Sequence, residues 1–331
     1  MGKKELALLF SFAWLIFAVS VSLLSIPNHV QIVNGDFAYY IKFGNWGLPD
    51  YISYCSNLDT GYIPIGFFTF ASKIVGIIPA IRLIISFLPA FFFVMGYLIL
   101  KENGKNRAIL FSALASITLF LYVVWCGTIK SEFALCFIIV GIYFLKRKEY
   151  PYVILMAILV FLSNVSMALF LTSTIPILAL YLSEFEPSWK IVFALGTLAL
   201  LIWLLFGPLI ERDVFPAIYS YQENRIKILG VVLLLIDILI LILTLGKVSW
   251  TSSILLAFSF SGILMSVFIM LDGWNLRHFY MAFVFAYLFC AQGISELEKQ
   301  GKLREAKIIQ NVFLITFVLW LINMGANIYG N

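Results

Sequence analysis

The chain has 331 residues, 63% of them hydrophobic and 12% charged, against about a quarter charged in a soluble globular protein. That composition cannot cover itself with a polar surface, which excludes an ordinary water-soluble domain of this size. The formal net charge of +5 is scattered over short segments instead of forming a stripe, which gives no reason to expect a nucleic-acid partner.

Lipid offers the backbone no hydrogen-bond partners, so a crossing chain is either helical or a closed barrel. The apolar runs here are continuous, not alternating, and therefore predict helices. The expected fold is all-α: a single transmembrane domain over residues 1–331 with about ten to twelve helices. The first run, Glu5 to Ile26, follows Met1-Gly-Lys-Lys. It is longer than a secretory signal core and shows no small-x-small cleavage site near Pro27, so it reads as a retained helix.

Residues 27–61 form the first polar loop. From Phe37 to Phe43 the aromatic residues fall near helical spacing, which predicts a short interfacial helix with Asp36 in its first turn. Tyr62 to Ile77 is short and holds Pro64, Gly66, Lys73 and Gly76, so it either crosses or lies along the membrane face. Further spans are expected at 80–100, 108–126, 131–146, 150–165, 167–183, 190–207, 226–246, 250–271, 279–295 and 308–327.

Basic residues sort these spans. If 62–77 does not cross, 14 of the 22 Lys and Arg fall on one side, from Lys3 and Lys4 through Lys101 to Arg107, Lys146 to Lys148, Lys190, Lys247 and Lys299 to Lys307. That side is then cytoplasmic, N-terminus included. The outer face carries three polar loops: 27–61, 208–225 and 272–278. The expected location is the cell membrane, or the endoplasmic reticulum in a eukaryote, with lipids as neighbours.

The four cysteines, Cys55, Cys126, Cys136 and Cys290, lack metal-binding spacing and read as packed thiols. Asp237 lies amid apolar neighbours, where an acid is a functional candidate by default; a relay and an interhelical hydrogen bond are both open. Asp36 has two readings, a helix cap and a reactive carboxylate. Asp59 is either a turn residue or a second acid. Glu132 either suits a helix dipole or lines a cavity.

One stretch carries a resemblance. Asp36-x-x-Tyr39-Tyr40 after the first apolar helix, the Gly-x-Pro turn at Gly47 to Pro49, and Tyr62-x-Pro64 opening the next run look like the GT-C superfamily of membrane glycosyltransferases. The branch using polyprenyl-phosphate sugars, mannosyltransferase-like members above all, is most similar. Trp125-Cys-Gly-Thr-Ile-Lys130-Ser131-Glu132, the polar break Asn164-Val-Ser166, and Arg277-His278-Phe-Tyr280 before a late span extend it more weakly.

The resemblance implies Asp36 as general base on an acceptor hydroxyl, with inversion at the sugar's anomeric carbon. It implies Arg277, His278 and Arg212 as candidates for the donor phosphate, and Tyr39, Tyr40, Asp59, Tyr62, Lys130 and Glu132 as substrate contacts. Many members pair two acids one residue apart, whereas this chain has Asn34-Gly-Asp36, so no metal-bridging pair is expected there. No cofactor is required, although the acids leave room for a divalent cation. The implied partners are a polyprenyl-phosphate sugar and a glycan, lipid or protein acceptor. A transporter or flippase of a lipid-linked or small solute, working through Asp237, and a polysaccharide polymerase are the competing functions.

Overall fold

The computed structural model describes residues 2–24, 36–56, 61–126, 129–164, 167, 171, 232, 235–240, 242–244, 249, 251–259 and 275–329. Among them the chain is helical, without a strand. The chain divides into two compact units, residues 1–101 with 108–167 and 323–331, and residues 102–107 with 168–322.

The first unit opens with α1 (Lys3–Leu24), uncharged after Glu5. Two short helices follow, α2 (Asp36–Gly44) and α3 (Leu48–Ser56). The first is the short helix expected to begin near Asp36. The second replaces the turn expected at Gly47 to Pro49, because proline suits a helix's first positions and the Asp50 carboxylate accepts the Gly47 N–H at 2.8 Å. Next come α4 (Tyr62–Val75), the bend at Gly76 (φ 88°), and α5 (Ile77–Leu100), which contains Pro89. Then follow α6 (Lys105–Cys126), α7 (Ile129–Lys146) and α8 (Tyr150–Ser163).

Side-chain contacts give the direction of each helix. The Tyr97 hydroxyl donates to the Glu5 carboxylate at 2.7 Å, and Phe12 meets Phe93 with ring centroids 6.3 Å apart, so α1 and α5 are antiparallel. The Cys136 thiol reaches the Leu88 carbonyl and the Lys146 ammonium the Ile99 carbonyl, at 3.6 and 3.0 Å, so α5 and α7 are parallel. A tight turn with Lys148 at φ 60°, closed by an Arg147–Glu149 ion pair at 2.7 Å, reverses the chain into α8. One end of the unit therefore gathers Lys3, Lys4, Lys101 and Lys146 to Lys148. The other holds the starts of α5 and α7 and the end of α8.

The layer of α2, α3 and α4 is fastened to that second end. Thr69 and Ser72 of α4 donate to the carbonyls of Phe43 and Gly44 at 3.3 and 3.1 Å, and Tyr40 packs edge-on against Phe68. Tyr51 of α3 donates to the Tyr62 carbonyl at 2.8 Å, and its ring occupies the space a side chain at Gly66 would need.

In the second unit, α9 (Asn275–Lys299) and α10 (Leu303–Tyr329) meet through Tyr287, whose ring stands edge-on to Phe313 at 5.0 Å. Residues 251–259 and 283–295 are buried on all sides, as expected of helices apolar around their whole circumference. Gly293 lets Ile240 approach until an added Cβ would lie 2.4 Å from its Cγ2.

Two helices, Lys3–Leu23 and Ile77–Asn103, are long and apolar enough to cross a membrane among the described residues; Tyr62–Val75 and Tyr150–Ser163 are apolar but shorter. The spans expected at 80–100, 108–126, 131–146, 279–295 and 308–327 are helical, and so is 150–163 of the span expected at 150–165, where α8 stops at Ser163, Asn164 is extended and residue 165 lies outside the described residues. The spans at 190–207 and almost all of 167–183 lie outside the described residues, as do parts of 226–246 and 250–271.

Candidate functional site

The residues that carry chemistry in the first unit gather where the α2–α4 layer meets the start of α7. Tyr40 is buried, and its hydroxyl accepts the Lys130 backbone N–H at 3.1 Å. This bond satisfies one of the N–H groups that every helix start leaves without an intrahelical partner. It also ties the first loop to a turn ninety residues away. Gly61 sits at φ 91°, and the aliphatic part of Lys130 lies where its Cβ would be, 2.6 Å from Cδ. Glycine is therefore favoured there by the left-handed backbone, with the aliphatic part of the lysine laid across it.

Glu132 occupies the first turn of α7 and is fully buried, and neither carboxylate oxygen has a hydrogen-bond partner among the described residues. The positive end of the helix dipole favours its charge, but burial without a donor opposes it. Beside it, the Asn164 amide donates to the Ser131 hydroxyl at 3.1 Å, while its oxygen accepts the Met167 N–H at 3.3 Å. Asn164 is extended (φ −164°) and ends α8, so the polar break expected at 164–166 begins where expected and is bonded to α7. Val165 and Ser166 lie outside the described residues.

Two further groups were passed over in the sequence. Arg82 Nε and Ser86 Oγ, near the start of α5, are buried without a partner among the described residues. One turn before the Cys136–Leu88 contact, Glu132 on α7 stands level with Ile84 and Ile85 on α5, between Arg82 and Ser86. Pro89 supplies no N–H, so the Ile85 carbonyl lacks its helical donor at the same level. The visible signal was an arginine inside an apolar run, which membrane physics marks as functional.

Of the other expected site residues, Asp36 opens α2 and Tyr39 lies within it, and of both the structure describes the backbone. Tyr62 opens α4 and offers its carbonyl to Tyr51. Arg277 and His278 lie in the first turn of α9, in the second unit, again described by backbone. Asp59 and Arg212 lie outside the described residues. Tyr40, Tyr62, Lys130 and Glu132 are thus brought to one junction.

Asp237, in the second unit, is fully buried; the Ser259 hydroxyl donates to its Oδ2 at 2.6 Å, and Oδ1 has no partner among the described residues. In the same unit, Ser249 and Ser252 bond each other and the amide oxygen of Gln292 on α9 at 2.8 to 3.4 Å. Cys136 and Cys290 are free, buried thiols. No three His, Cys, Asp or Glu converge on a metal-sized site among the described residues.

A cavity of about 350 Å³ in the second unit is lined by Asn103 to Arg107 and Glu298, with Arg107 paired to Glu298. It holds none of the residues singled out above. Comparison with known proteins returns no matching family model, no matching curated protein and no matching solved structure.

Proposed function

We propose that this chain is a multi-pass membrane glycosyltransferase of the GT-C kind, transferring a sugar from a polyprenyl-phosphate donor to an acceptor at the outer face. The observation that supports it best is the Tyr40–Lys130 bond. It joins the helix that Asp36 begins to the turn carrying Ser131 and Glu132, two of the stretches on which the resemblance to that superfamily rests.

The multi-pass reading is supported by apolar side chains left exposed along the helices. Phe10, Trp14 and Leu15 on α1, Leu83 and Phe87 on α5, Ile154, Ile158 and Phe161 on α8, and Ile315 and Leu319 on α10 are all more than 40% exposed. Exposed apolar stripes of this kind are suited to contact with lipid. The basic end of the first unit faces the cytoplasm in this reading, with the N-terminus.

In the proposed reaction Asp36 takes the proton from the acceptor hydroxyl as its oxygen attacks the anomeric carbon opposite the departing polyprenyl phosphate, inverting that centre. Arg277 and His278, with Arg212 in reserve, oppose the charge that grows on the leaving phosphate. Tyr39, Tyr40, Asp59, Tyr62, Lys130 and Glu132 frame the substrate, and Glu132, without a donor among the described residues, is suited to accept hydrogen bonds from acceptor hydroxyls.

A transporter reading is favoured by one observation, the buried Asp237 with its unbonded oxygen. One assay separates the two. In proteoliposomes supplied with polyprenyl-phosphate mannose, Asp36→Asn is expected to lower transfer about 10²–10⁴-fold, the usual range for a lost general base. Asparagine caps a helix as well as aspartate does, so the fold and donor binding are retained. Wild-type transfer by that variant would remove Asp36 from the mechanism; solute flux abolished by Asp237→Asn, with no product formed, would favour the transporter.

A further inference from the structure

The α4 helix has both ends at one end of the first unit. It begins beside Lys130, where α7 starts, since Gly61 lies against that side chain. It ends at Gly76, directly before α5. The α5 and α7 helices run parallel, and the Cys136–Leu88 contact puts their starts within about one helical turn, about 6 Å, of each other. A helix strung between two such points cannot traverse the thickness of the unit, and its 14 residues span about 21 Å against about 30 Å of hydrocarbon.

Its two faces differ in an unusual sense. Ile65, Phe68, Thr69 and Ser72 are buried against α2 and the helix ends, while Phe67, Phe70 and Ile74 are 53%, 68% and 68% exposed in one stripe. Leu48 and Ile52 of α3 are also exposed, at 69% and 58%. Exposed Lys73 flanks the stripe, and Lys42 of α2 is exposed as well. Phenylalanine and isoleucine on the outside of a helix that does not cross, bordered by lysine, are the composition of a helix resting in a lipid interface.

We propose that α4 lies in the plane of the outer leaflet, with Phe67, Phe70 and Ile74 inserted at the boundary of headgroups and acyl chains and Lys73 at the lipid phosphates. The proposal rests on the membrane reading above. It seats the Tyr40–Lys130–Glu132 junction at the level of the headgroups, where the phosphate of a lipid-linked donor sits. It also settles the basic residues: Lys3, Lys4, Lys101 and Lys146 to Lys148 fall together on the opposite side.

Nitroxide depth measurement on the full chain in nanodiscs tests this, using single cysteines at Phe67, Phe70 and Ile74 and, as a crossing control, at Ile154, Ile158 and Phe161 of α8. Equal, shallow depths along α4 beside a depth gradient along α8 are the expected result. Depth that changes along α4 by about 1.5 Å per residue, as for a crossing helix, would overturn it. Water-exposed labels on α4 with lipid-embedded labels on α8 would overturn it too, leaving the membrane reading intact. Water-exposed labels on both helices would remove the membrane reading and the proposal together. All six positions are on the surface, and helical circular dichroism of each labelled protein checks that the fold is kept.

Discussion

Glu132 illustrates how a single side chain can be visible in the sequence and yet have its role decided elsewhere. An acid at a helix's first turn is ordinary, and the dipole accounts for it. Complete burial with neither oxygen bonded among the described residues is not ordinary, because a carboxylate leaving water without a donor is strongly opposed. Glu132→Gln removes the charge and keeps the shape. If Glu132 receives acceptor hydroxyls, the variant is expected to melt at the same or a higher temperature while KM for the acceptor rises about tenfold or more, the worth of one charge-assisted hydrogen bond. A lower melting temperature with unchanged transfer would make the residue structural. Gly61 belongs to the same scale: the sequence marks a turn, but the need for glycine comes from the left-handed backbone (φ 91°) it adopts beneath the Lys130 side chain.

Among elements, α9 packs closely against 235–240, where Gly293 faces Ile240. Glycine inside a helix costs about 1 kcal/mol relative to alanine, so Gly293→Ala would help an isolated helix. Here the added Cβ meets Ile240 at 2.4 Å, and overpacking costs about 1–3 kcal/mol. The expected net result is a destabilised protein. In a double-mutant cycle with Ile240→Ala, the pair should be more stable than the sum of the single changes by about 1 kcal/mol or more, since each relieves the other. Additivity in thermal or denaturant unfolding would show that the contact is easily accommodated. The helix α3 is the counterpart in the first unit, because Gly47-Leu-Pro49 was read as a turn. The same residues serve to start a helix once Asp50 holds the Gly47 N–H.

For the whole molecule the testable statement is the solvent. With apolar stripes exposed on α1, α5, α8 and α10, the protein is expected to remain in the membrane fraction after washing at alkaline pH and high salt, and to need detergent for extraction. Release by the alkaline wash would show that those faces are covered by protein instead of lipid.

Helical class, the approximate bounds of the described helices and the basic bias of one set of connections were determined by the sequence alone. Continuous apolar runs leave the backbone no other way to satisfy itself in lipid, and charge marks where the runs stop. Tertiary structure alone decided that α4 starts and ends at the same end of its unit, that Tyr40 reaches Lys130, and that Glu132 and the Arg82 Nε are buried. Those facts depend on the relative direction of α5 and α7 and on contacts between residues up to ninety positions apart, and no local pattern of apolar and polar residues encodes them.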